Sequence, residues 1–67
     1  MFKVDTNRVR ALLLQSGLPF SAFAQKANLN VLTVKRTLKD GASATVRTIA
    51  ALAKVFDVPA ETLILKN

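Results

Sequence analysis

Apolar residues recur along this chain at spacings of three and four, the period of amphipathic helices rather than of strands. Val9, Leu12 and Leu13 share one side of a segment from Thr6 to about Ser16, with Asp5 or Thr6 placed to cap its start. Phe23, Ala24 and Ala27 line one side of a second segment, Phe20 to Ala27. A third, Val31 to about Lys39, turns Val31, Val34 and Leu38 one way and Leu32, Lys35, Arg36 and Lys39 the other. Thr45 caps a fourth that runs to Phe56 and gathers Val46, Ile49, Leu52, Ala53 and Phe56 into a stripe. A fifth piece of one or two turns spans about Pro59 to Ile64.

The residues between these segments agree with the division. Gly17 and Gly41 each follow a helical pattern, where a left-handed backbone favours glycine. Pro19 and Pro59 each precede one, where a missing N–H costs nothing. Asn28-Leu29-Asn30 makes a turn: Asn28 tolerates the left-handed conformation and Asn30 can cap the third helix. The expectation is an all-α fold of five short helices in one domain, residues 1–67, without linker or repeat. Phe2-Lys3-Val4 and Leu63-Ile64-Leu65 are β-compatible and leave open a short pairing of the two ends.

Composition narrows the function. With 67 residues the chain is near the lower limit for a core without staples, and it has no Cys and no His. The missing cysteines point to a cytosolic compartment. Four carboxylates and no imidazole or thiol remove most acid–base, nucleophilic and metal chemistry, so no enzyme, cofactor or metal site is expected. No apolar run approaches the roughly 18–20 residues that cross a bilayer. MFKVDTNRVR does not look like a secretory leader. Net charge is +6, and between Thr6 and Lys39 the chain carries Arg8, Arg10, Lys26, Lys35, Arg36 and Lys39 with no acid at all. Such a stretch suits a polyanionic partner.

Two short helices, a three-residue turn and a basic outer face are the parts of a helix-turn-helix. Ala24 supplies the small residue where the helices cross, Leu29 plugs the turn, and Val34 with Leu38 anchors the third helix. At this level the chain resembles the lambda-repressor-like, or Cro/repressor (XRE-type), DNA-binding domains. GLPFSAFAQKANLNVLTVKR is similar to the family's G-L-S-x-x-x-L-A-x-x-A-G-V-S-x-x-T-I-x-R. TVRTIAALAKVFDVPAETL is similar to its S-x-x-T-L-x-x-L-A-x-x-L-G-V-x-x-x-x-L. The likeness covers about Val9 to Leu63 and implies a compact five-helix domain whose helices 2 and 3 form the helix-turn-helix.

The departures are specific. The family opens helix 2 with Ser or Thr and then Gln, whose amide often braces a phosphate; Pro19 and Phe20 stand there instead. Leu13 and Leu38 occupy positions where some phage repressors bury an Arg–Glu pair, so an apolar contact replaces two charges. Gly41 comes one residue later than usual.

The resemblance places Asn30, Val31, Leu32, Thr33, Lys35 and Arg36 against base edges in the major groove of double-stranded DNA. Leu32 suits a thymine methyl, and Arg36 a bidentate contact with guanine. Ser21, Lys39, Ser43 and Thr45 are phosphate candidates, and Lys35 also fits phosphate better than a base. Each has a plainer reading as well. Val31 fits the core equally, Leu32 fits a protein interface, and Lys35 and Arg36 fit solvated charge. Phe20 fits a lid on the core, Thr45 simple capping, and Arg8 and Arg10 a solvated face; Lys26 and Arg47 lie at the periphery.

These features together imply a sequence-specific transcriptional regulator, a Cro- or repressor-like homodimer on a palindromic operator. Ala51, Val55, Ile64 and Leu65 are the surplus apolar residues from which an interface could come, and they fit packing against their own chain equally well. The rival is a protein-interaction module of the same fold, antitoxin- or adaptor-like. Membrane-surface binding lacks the single long amphipathic helix that it needs, and nothing points to a small-molecule ligand.

Overall fold

A computed structural model describes residues 1–65. The order of elements is β1 (Phe2–Lys3), α1 (Thr6–Ser16), α2 (Phe20–Ala27), α3 (Val31–Arg36), β2 (Ser43–Ala44), α4 (Val46–Phe56) and a closing 3-10 helix (Ala60–Leu63). Among the described residues the chain is therefore a mostly helical domain with four α-helices and a small sheet, not the five-helix all-α domain expected. The fifth piece is a single 3-10 turn, because Pro59 opens it and Ile64 already has extended backbone.

Each helix starts and stops for a local reason. The Asp5 carboxylate accepts from the Arg8 N–H at 3.2 Å and caps α1, and Gly17 ends it at φ 71°. α2 and α4 end alike. Asn28 (φ 56°) and Asp57 (φ 57°) take the left-handed position, and the next residues, Leu29 and Val58, donate back to the Ala24 and Ala53 carbonyls. That 6→1 bond, followed by an apolar residue packed on the core, is the Schellman ending. Here Asn and Asp serve where glycine is usual.

α3 stops at Arg36, three residues short of the expected Lys39. The Thr37 hydroxyl donates to the Val34 carbonyl at 2.6 Å, and the amides of Thr37, Leu38 and Lys39 bond three residues back rather than four. The chain tightens into 3-10-type turns and leaves through Gly41 at φ 80°.

The core gathers Val4, Val9, Leu13, Phe23, Ala24, Ala27, Val34, Ala44, Ile49, Leu52, Ala53 and Leu63. The rings of Phe23 and Phe56 meet at 4.9 Å between centroids, inclined by 34°, and join α2 to α4. Val46 belongs to the α4 stripe by spacing yet is 64% exposed, since the stripe reaches the core only from Ile49 onward.

The ends pair differently from the expectation. β1 lies antiparallel to β2, Phe2 opposite Ala44 and Lys3 opposite Ser43, and among the described residues a single bridge, Val4 to Ile64, joins the two ends. The Val4 N–H donates to the Ala42 carbonyl, Asp5 to Leu63, and Leu65 to Lys3. The N-terminal segment thus satisfies backbone groups on both sides, a nonlocal match invisible in the hydrophobic period. Among the described residues no helix is long and apolar enough to cross a membrane.

The left-handed turn at Asn28 gives a first prediction. Asn28→Gly should keep or raise stability to urea, whereas Asn28→Val should lose about 1–2 kcal/mol because a β-branched side chain clashes in that conformation. Equal stability of the two variants would contradict the geometry.

Candidate nucleic-acid interface

α2 and α3 pack together, separated by the turn Asn28-Leu29-Asn30, and Leu29 fills the space beneath it. Val34 is fully buried and Thr37, just past α3, nearly so. Those two residues, three apart, set how α3 is rotated. The outward positions are then Leu32, Lys35 and Arg36, with Lys39 next in the turn; all four are exposed, Leu32 by 62%.

The other candidates divide. Val31 is half-buried and packs on the core, so its side chain is shared between core and surface. Thr33 is also half-buried. The Asn30 side-chain oxygen accepts from the Leu32 N–H at 2.8 Å, so Asn30 is the cap of α3 first. Its amide NH2 and the second lone pair of its oxygen remain for another partner. Thr45 caps α4: its hydroxyl oxygen accepts from the Thr48 N–H and its O–H reaches the Thr48 hydroxyl, both at 3.3 Å. Ser43 is an exposed strand residue opposite Lys3. Ser21 is exposed in the first turn of α2, a helix whose Pro19 cap offers no side-chain acceptor.

Two residues have a larger part than their sequence suggests. Phe20 is 40% exposed, and beyond the groove it lines the Lys35 ammonium sits 5.8 Å from its ring centroid. At an exposed site such a cation–π contact contributes about 0.5–1 kcal/mol. Arg10 is not simply solvated: its Nη2 donates to the Leu38 carbonyl at 2.8 Å, tying α1 to the turn after α3. No local pattern could signal either contact, because the partners lie far apart in sequence. Leu13 and Leu38 do share one apolar region; with Arg10, Leu14, Leu18 and Phe20 they line an open groove of about 480 Å³.

The chemistry on offer is one cationic, partly apolar helix face. It combines an exposed aliphatic side chain, a guanidinium and two ammoniums, with no carboxylate from Thr6 to Lys39. Comparison with known protein families, curated proteins and solved structures returns no match.

Capping by Asn30 can be separated from any contact it makes. Asn30→Ala should lower stability by about 0.5–2 kcal/mol in urea unfolding, and Asn30→Ser should restore most of it. Full stability of the alanine variant would show that the cap contributes nothing.

Proposed function

We propose that the chain is a sequence-specific double-stranded DNA-binding regulator, without enzymatic activity, whose α2 and α3 act as a helix-turn-helix. The observation that carries this reading is the outward set Leu32, Lys35 and Arg36 on a helix oriented by buried Val34. Arg36 contacts guanine in the major groove, Leu32 meets a thymine methyl, and Lys39 neutralises phosphate. The net charge of +6 adds the sequence-independent attraction that brings the protein to DNA.

The resemblance to lambda-repressor-like domains supports the reading, because its shared positions do physical work in this fold. Phe23, Ala24, Ala27, Val34, Ile49, Leu52, Ala53 and Leu63 stand where the motifs want core residues, and all are buried. Asn30 and Thr45 stand at motif serines and cap helices. Asn28 and Asp57 stand at motif glycines and are the non-glycine residues with left-handed backbone among those described. Family members of this kind read half of a palindrome, so a homodimer with recognition helices about 34 Å apart is part of the proposal. Of the apolar residues that could serve it, Ala51, Val55 and Ile64 are half-buried against their own core, Ala51 and Val55 at a groove of about 920 Å³ beside the 3-10 helix, and Leu65 is 48% exposed.

One observation favours a second reading, a protein-interaction module: Leu14 is 78% exposed at the edge of the α1–α2 groove. Selection of bound duplexes from a random pool separates the two. A DNA regulator should enrich a two-fold symmetric site, and Arg36→Ala should weaken that site by about 1–3 kcal/mol, roughly five- to 150-fold, and relax the base it reads. Absence of retention at low salt would reject DNA binding and leave the interaction module.

A further inference from the structure

Phe20 is a large aromatic residue left 40% in solvent and outside the buried core. Phe23 and Phe56 already fill the space between α2 and α4. Besides lining the groove with Leu13, Leu18 and Leu38, the Phe20 ring faces a charge: the Lys35 Nζ stands 5.8 Å from its centroid. Phe20 is the first residue of α2, and Lys35 projects from the outer side of α3. The contact therefore bends a four-carbon side chain back toward the start of α2.

We propose that Phe20 is a positioning residue that commits Lys35 to a DNA phosphate and so leaves base reading on α3 to Leu32 and Arg36. This rests on the DNA-binding reading above and refines it. An ammonium resting on a ring face turns its remaining N–H groups away from the ring and keeps its full charge, which a phosphate can use. Lys acts as a point charge without the planar fork that reads guanine, which suits a phosphate oxygen better than a base edge. The destination is polar as well: the opening turn of α2 carries exposed Ser21 and no side-chain cap. An aromatic ring thus takes over, by a different interaction, the bracing of the basic helix against the backbone.

The test is a double-mutant cycle on Phe20→Leu and Lys35→Met, read as binding to a mixed-sequence duplex of about two helical turns across a range of salt. Lys35→Met should lower the salt slope by about one ion, and Phe20→Leu should weaken binding about two- to fivefold with part of the same loss of slope. On the Lys35→Met background, Phe20→Leu should have no further effect. Phe20→Trp offers a stronger π face and should bind at least as tightly as the wild type, an arm that does not depend on how well the leucine variant folds. Independent effects of Phe20→Leu and Lys35→Met, unchanged slopes in both, or weaker binding by Phe20→Trp would overturn the proposal while wild-type DNA binding stands. Failure of the wild-type protein to bind the duplex at any salt would bring down the DNA reading and this inference together.

Discussion

The seating of α3 on the core is the constraint on which the rest depends. A helix of six residues cannot sustain itself in water, since nucleation costs more than so few hydrogen bonds return. Val34 buries its whole side chain, Thr37 closes the end with its hydroxyl on the Val34 carbonyl, and Asn30 holds the beginning. These three residues leave one rotation available. Every outward position is set by it, including the exposed leucine among the cations.

The remaining elements hold that platform in place through ordinary hydrogen-bond accounting. α2 supplies the buried Phe23 and Ala24 beneath the turn, and its Schellman ending at Asn28 redirects the chain into α3. Arg10 reaches across from α1 to the Leu38 carbonyl, which the early end of α3 leaves free. The N-terminal segment lies between residues 42–44 and 63–65, so both ends of the chain are tied to the same core. In so small a domain these ties matter, because little apolar area is buried to replace them.

Much of this could be read from residue pattern. α1 and α2 begin and end as their caps and glycine or asparagine stops predict, and the inward residues of α1, α2 and α4 are buried or half-buried with the exception of Val46. Periodicity failed where helix ends meet tertiary demands. The spacing through Leu38 continues past Arg36, but Thr37 has a hydroxyl that competes for the helix carbonyls, and the backbone tightens. Of the sheet, Phe2-Lys3-Val4 was legible as β-compatible but its partner was not: a two-residue strand has no period to detect, and Ser43 stood as a phosphate candidate just before the Thr45 cap. In the candidate site, the outward set Leu32, Lys35 and Arg36 was legible from spacing alone. The Phe20–Lys35 and Arg10–Leu38 contacts were not, since each joins residues on different elements through side chains long enough to reach several partners.

The central claim is that the outward face of α3 is the surface that meets DNA. The most direct measurement is the change in backbone amide chemical shifts as the labelled protein is titrated with a mixed-sequence duplex at low salt. If α3 is that surface, the largest changes fall on Leu32, Lys35, Arg36 and the first turn of α2, with smaller ones at Lys39. Changes concentrated instead on the groove between α4 and the 3-10 helix, with α3 unmoved, would contradict it.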